Sequence, residues 1–256
     1  MDPSYFTPEW LSPSLFPELL PGQVHLWRFS LEQPSNLLPS LSALLSELEQ
    51  AQARRFAFER HRNRYLISHA FLHSILSGYL KLLPQAIRFN IGPHGKPTLA
   101  QDLSPDLKFN LAHSNELAIL GIRLRSEIGV DIEFHRVGVD YMKLAAQFFS
   151  SRENAALKSL PNSQREAGFF NAWTRKEAYL KSLGDGLSRP LDSFSVTLAP
   201  GDPPRLLDID QETNKAERLQ VFSFTPEIAY TAAVVTKSPV NEISFWHAGK
   251  ELIYNS

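Results

Sequence analysis

Along this chain the spacing of apolar residues switches from every second position to every third or fourth and back again. It does so twice, in the same order. QVHLWRF (23–29) alternates Val24 and Leu26 against His25, Trp27 and Phe29, as a strand does. LLPSLSALLSELEQAQARRFAF and RNRYLISHAFLHSILSGYLKLL then step by three and four, which predicts two helices ending before Pro84. Strands are expected at 86–91, 107–111 and 117–124, separated by glycine, proline and asparagine. The second round begins with a strand at EIGVDIEF (127–134). A helix follows whose start, SSREN, fits a capping box of Ser150 and Glu153. A further helix covers about 164–183, with Gly184 as its terminator. Strands come next at 193–198, 219–224 and 228–236, and EISFWHAGKELI adds one more.

The order of elements repeats, although residue identity between the rounds is not evident. It predicts an α+β fold of two similar halves, joined near residues 124–127, with a groove between them. The expected division is an irregular arm at 1–22, an N-terminal half at 23–125 and a C-terminal half at 126–256. The arm carries five prolines, with Trp10, Leu15 and Phe16 expected to tuck against a domain. Residues 199–218, polar and holding Pro200, Gly201, Pro203 and Pro204, read as a surface loop.

Composition removes several classes of function. A net charge of −1 over 256 residues provides no global pull toward nucleic acid or membrane. The absence of cysteine excludes disulfides, thiolate metal sites and a cysteine nucleophile, and fits a reducing compartment. No apolar run approaches the roughly 18 residues that span a bilayer, and the start lacks the basic-then-apolar order of a secretory signal. A cytoplasmic location is the expectation.

Two short stretches carry chemistry. In WTRKEAYLKSLGDG (173–186), Trp173, Glu177 and Lys181 fall at steps of four and share one helix face with Phe170 and Leu180. Such a face is expected against the core, where an acid is rarely left unpaired. One reading is a surface ion pair between Glu177 and Lys181, worth about 0.3–0.5 kcal/mol. In IGVDIEFHR, alternation sets Ile128, Val130, Ile132 and Phe134 on one side and Asp131, Glu133 and His135 on the other. Two such carboxylates repel by about 3 kcal/mol at an effective dielectric near 20, unless water, bases or a cation relieve them. A half-buried strand with a wet outer face is one reading. If Glu177 approaches Asp131 and Glu133, three hard oxygen ligands converge, a set suited to Mg²⁺ rather than zinc.

GVDIE (129–133) followed by W-x-x-KEA-x-x-K-x-x-G-x-G (173–186) resembles the paired signature of 4′-phosphopantetheinyl transferases of the Sfp type. GKP (95–97), FNLAHS (109–114), FFS-x-x-E (148–153) and PLDSFSV (190–196) fit the same family in the same order. The resemblance covers roughly residues 50–200. It implies the family's pseudo-twofold monomer of two α/β halves, with the active site in the groove: a coenzyme A side in the first half, and the metal and catalytic helix in the second. It implies a magnesium-dependent enzyme that moves the phosphopantetheine arm of coenzyme A to a serine of an acyl or peptidyl carrier protein and releases adenosine 3′,5′-bisphosphate. Asp131, Glu133 and Glu177 match the metal ligands. Glu177 is also the candidate base, and Lys181 the cation at the pyrophosphate. Arg60 and Arg64 match positions near the nucleotide phosphates, while Gly95, Lys96 and Pro97 match the adenine-side loop. His113 matches a phosphate contact, and Asp131 belongs to the coenzyme A contacts as well. The sequence departs from the family where Glu49 and Gln52 stand near lysines of some members, and where Ala112 replaces a serine. His69 and His73 lie where arginines are common and receive no role. The alternatives carried alongside are a metal-dependent phosphodiesterase or nuclease, and a carrier-protein-binding module without catalysis.

Overall fold

The computed structural model describes residues 6–92, 95–184, 189–209 and 219–254. The first round of elements begins with β1 (Gln23–Ser30) and the short helices α1 (Leu38–Ala43) and α2 (Glu47–Arg54), followed by the long α3 (Glu59–Leu80). It continues through β2 (Phe89–Ile91), β3 (Pro97–Leu99), β4 (Leu107–Ser114) and β5 (Leu117–Leu124). The second round is β6 (Ile128–Phe134), α4 (Tyr141–Phe148), α5 (Ser151–Ser159), α6 (Asn162–Leu183), β7 (Phe194–Val196), β8 (Leu206–Ile209), β9 (Leu219–Phe224) and β10 (Tyr230–Lys237). The chain then adds β11 (Glu242–His247) and α7 (Glu251–Tyr254).

In each round the first strand pairs antiparallel with the last, and the last with the one before it. One sheet runs β11-β1-β5-β4 and the other β6-β10-β9. β11 leaves the second round and pairs parallel with β1, from Gln23↔Glu242 to Arg28↔His247. The two sheets lie face to face. Val24, Leu26 and Ile119 of one meet Ile128, Val130, Ile132, Ala232 and Val234 of the other in a shared apolar layer. The outer face of the first sheet, with Trp27, Phe29, Leu120 and Ile122, is covered by Phe71 and Ile75 of α3. The outer face of the second, with Ala233 and Val235, is covered by Ala172, Ala178 and Leu180 of α6. The result is helix, sheet, sheet, helix. A strand buried on both faces no longer needs a polar side, and the burial along β1 and β5 is accordingly nearly continuous.

Several expectations are corrected. The first predicted helix is broken, because Ser46 accepts from the Glu49 amide and Glu49 returns a bond to the Ser46 amide, so a new helix starts at Glu47. The strand expected at 86–91 begins only at Phe89, since Pro84–Ala86 form a 3₁₀ turn. The region 199–218 holds β8, which pairs with β7; residues 210–218 lie outside the described residues. In the arm, Phe16 stacks on Trp27 and Trp10 packs edge-on against Phe245, whereas Leu15 is 84% exposed. The predicted capping box at Ser150 and Glu153 is present, and Gly184 ends α6 at φ 77°.

Candidate active site

The site is built where β6 runs under α6. Alternation along β6 turns Ile128, Val130 and Ile132 into the layer between the sheets, so Gly129 and Asp131 face the helix. Gly129 permits an unusually close approach. A Cβ there would lie 2.0 Å from the Ala178 carbonyl oxygen and 2.3 Å from the Ser182 amide nitrogen. The expected wet outer face of this strand is therefore a strand–helix contact, and Asp131 is only 5% exposed.

α6 shows the reverse of the expected stripe. From Gly168 to Ser182 every residue is buried except Trp173, Glu177 and Lys181, which are half-buried. The steps of four mark the open line of the helix rather than its core face. The core-facing charges are instead Arg175, which donates to Ser223 Oγ at 2.9 Å, and Lys176, which donates to Glu153 Oε1 at 2.7 Å.

Lys181 Nζ donates to Asp131 Oδ1 at 2.6 Å. The other oxygen, Asp131 Oδ2, is buried and meets no hydrogen-bond donor. Burial pushes the Asp131 carboxyl up to about 7. The Lys181 cation opposes this, and the nearby Glu133 and Glu177 charges add to it. Burial likewise raises Glu177, with Lys181 opposing and Glu133 reinforcing. Burial alone would lower Lys181, but Asp131, Glu177 and Glu133 outweigh it and hold the amine above its ordinary value. Three carboxylates and one ammonium thus share one field. Among the described residues no group of three His, Asp or Glu side chains is drawn together tightly enough to cage a metal. Lys181 holds one of the acids, Asp131. The donor set is nonetheless all carboxylate oxygen and includes one buried oxygen without a partner, Asp131 Oδ2, which fits a hard divalent cation.

Two residues not singled out in the sequence set the strand. The amide of Val130 donates to Asn110 Oδ1 at 2.8 Å, and that of Phe134 to Ser114 Oγ at 3.1 Å. Asn110 and Ser114 lie four apart on β4, as their partners do on β6, so β4 serves the unpaired edge of the second sheet through side chains. Ser114 Oγ also donates to Glu133 Oε2 at 2.9 Å and orients that carboxylate. Only the equal spacing within the two strands could have signalled this pairing.

Beside the acids opens a cleft of about 530 Å³, walled by α3, β4 and the end of β6. Arg64, Pro97, His113 and Glu133 line it, joined by Arg136 and His69. Arg60 is exposed on the first turn of α3. Gly95 turns at φ 82°. Lys96 is occupied elsewhere: its Nζ donates to Glu127 Oε2 at 3.0 Å and to the Lys181 carbonyl at 2.7 Å, tying the 95–97 turn to the end of α6. His94 lies outside the described residues.

A family model for the 4′-phosphopantetheinyl transferase superfamily matches residues 127–235, and one for the 4′-phosphopantetheinyl transferase N-terminal region matches residues 30–123. The 4′-phosphopantetheinyl transferase HetI of Nostoc sp. (strain PCC 7120) is 38% identical over 230 residues, covering 90% of this chain and 94% of that one. Psf-1 of Bacillus pumilus is 32% identical over 202 residues (79% and 83%), and Sfp of Bacillus subtilis 33% over 156 residues (61% and 67%). The chain belongs to the 4′-phosphopantetheinyl transferase superfamily. Within it, the chain is an enzyme of the Sfp type, whose reaction is the transfer of phosphopantetheine to a carrier protein.

Proposed function

We propose that the enzyme takes coenzyme A as donor and an acyl or peptidyl carrier protein as acceptor, with Mg²⁺ held by Asp131, Glu133 and Glu177. The observation that carries this is the open line of α6. It sets Glu177 and Lys181 above the two acids of β6 and beside a cleft lined with Arg64 and His113. In this reading the two rounds of elements are the halves of a pseudo-twofold molecule, 23–125 and 126–256, and their groove is the active site. A cytoplasmic monomer is part of the reading. No helix among the described residues is long and apolar enough to cross a membrane.

The carrier's serine oxygen attacks the β-phosphorus of the coenzyme A pyrophosphate. The new O–P bond forms as the bond to the bridging oxygen breaks, and adenosine 3′,5′-bisphosphate leaves. Glu177 accepts the serine proton; burial raises its pKa toward the working range of a general base. Lys181, cationic, donates toward the departing phosphate. Bound magnesium would supply Lewis-acid neutralisation of the phosphate oxygens. Gly95 and Pro97 would support the adenine side, with Arg60, Arg64 and His113 toward the nucleotide phosphates. Lys96 would act from its place against Lys181.

The test is to incubate the protein with coenzyme A, Mg²⁺ and an apo carrier protein, then weigh the carrier. One added phosphopantetheine per carrier supports the reading. An unchanged carrier that still binds would mark a module without catalysis. Asp131→Ala should abolish transfer with the fold retained by circular dichroism, and surviving activity would overturn the assignment of the acids.

A further inference from the structure

Lys96 stands in the turn assigned to the adenine side, yet its ammonium is already engaged. Its side chain is only 13% exposed, and lysine is rarely buried so far unless paired. An ammonium carries three donors. Three acceptors lie within reach of Lys96 Nζ: Glu127 Oε2 at 3.0 Å, the Ile128 carbonyl at 3.4 Å and the Lys181 carbonyl at 2.7 Å. All three belong to the chain itself, so the donors are taken up inside the protein rather than kept for a ligand.

These acceptors come from the start of β6 and the last turn of α6, next to the closest contact between the two. There Gly129 faces the Lys181 carbonyl carbon and the Ser182 amide nitrogen. The carbonyls of a helix's last turn run out of amides within their own helix, and a cation there meets the negative end of the helix dipole. Lys96 therefore clips the end of α6 to the start of β6. The clip is itself fixed from both sides. Gly95 turns at φ 82°, and the Gly92 amide donates to the Lys96 carbonyl at 3.0 Å. Thr236 Oγ1 donates to the Glu127 carbonyl at 2.7 Å, and Lys108 Nζ lies 3.6 Å from Glu127 Oε1. The residue whose carbonyl Lys96 holds is also the one whose ammonium donates to Asp131 Oδ1 at 2.6 Å. Lys181 is thus pinned by its backbone to the 95–97 turn and by its side chain to β6. Resting on the reading above, we propose that Lys96, supported by Glu127, is a positioning residue for Lys181. It holds the last turn of α6 so that the Lys181 ammonium keeps its reach to the departing phosphate.

The experiment measures kcat per folded enzyme and KM for coenzyme A by carrier mass, with urea unfolding of each variant alongside. No transfer by the wild type overturns the parent reading, and this inference with it. Given wild-type transfer, Lys96→Met, which keeps the stem and removes the donors, should lower kcat about tenfold and leave KM for coenzyme A within about threefold. Lys96→Arg, which keeps a cation with donors, should recover part of kcat. Glu127→Gln should lower kcat less, and added to Lys96→Met it should change nothing further, because Glu127 acts through Lys96. A rise in KM larger than the fall in kcat would put the ammonium on coenzyme A and overturn the inference. An unchanged kcat in Lys96→Met would overturn it too, and a lower unfolding free energy beside that result would mark the clip as structural alone.

Discussion

The contact at Gly129 makes the sharpest demand on the sequence. In Gly129→Ala, the new methyl would stand 2.0 Å from the Ala178 oxygen, 2.3 Å from the Ser182 nitrogen and 2.9 Å from the Lys181 carbonyl carbon, where ordinary contact begins at 3.4 Å. All three obstacles are backbone, so no rotamer change relieves them, and α6 must lift from β6 by about 1 Å or more. Overpacking of this kind costs about 1–3 kcal/mol. The displaced residues flank Glu177 and Lys181, while Asp131 stays on the strand. A misplacement near 1 Å costs on the order of 10²-fold in rate. Transfer rate and urea unfolding should be measured together, with Gly168→Ala as control. Gly168 lies on the same helix, but its nearest neighbours are the terminal methyls of Leu160, Leu157 and Leu198, which can give way. Gly129→Ala should lose rate far beyond its loss of folded protein, and Gly168→Ala should not. A Gly129→Ala enzyme with wild-type rate and stability would refute the reasoning.

Ser114→Ala removes the hydroxyl that donates to Glu133 and accepts from the Phe134 amide; kcat/KM should fall roughly tenfold, and unfolding free energy should drop by about 1–3 kcal/mol in chemical denaturation. Lys176→Met strands the carboxylate of Glu153, which is 1% exposed, and should cost about 3–5 kcal/mol by chemical denaturation; adding Glu153→Gln should recover part of that loss. Burial pulls the His25 imidazole from 6.5 to about 4; its Nδ1 lies 2.7 Å from the Tyr79 hydroxyl, which accepts from Trp27 Nε1. Between those values the unfolded chain binds the proton and the folded one does not. Unfolding free energy should therefore fall by roughly 3 kcal/mol as pH drops from 6.5 toward 4, and His25→Gln should flatten that slope.

The spacing of apolar residues was enough to place β5, β9 and the start of α5, because local periodicity and a capping box are written in neighbouring residues. The motif residues likewise named themselves by type and interval. What the intervals could not say is which way a face points. Trp173, Glu177 and Lys181 share a helix face in any folded context, but only the packing of α6 on β6, β9 and β10 makes that face the open one. Asp131 alternates away from the apolar residues in any strand, yet its burial depends on a helix some forty residues later settling on Gly129. Lys96 shows the same division: its loop was legible, while its engagement with the Lys181 carbonyl spans 85 residues of chain. Local hydrogen bonding and periodicity act within a few residues and are fixed by sequence order. Burial, the charge on an acid and the partner of a lysine depend on what arrives from elsewhere in the chain, and only the tertiary structure brings it.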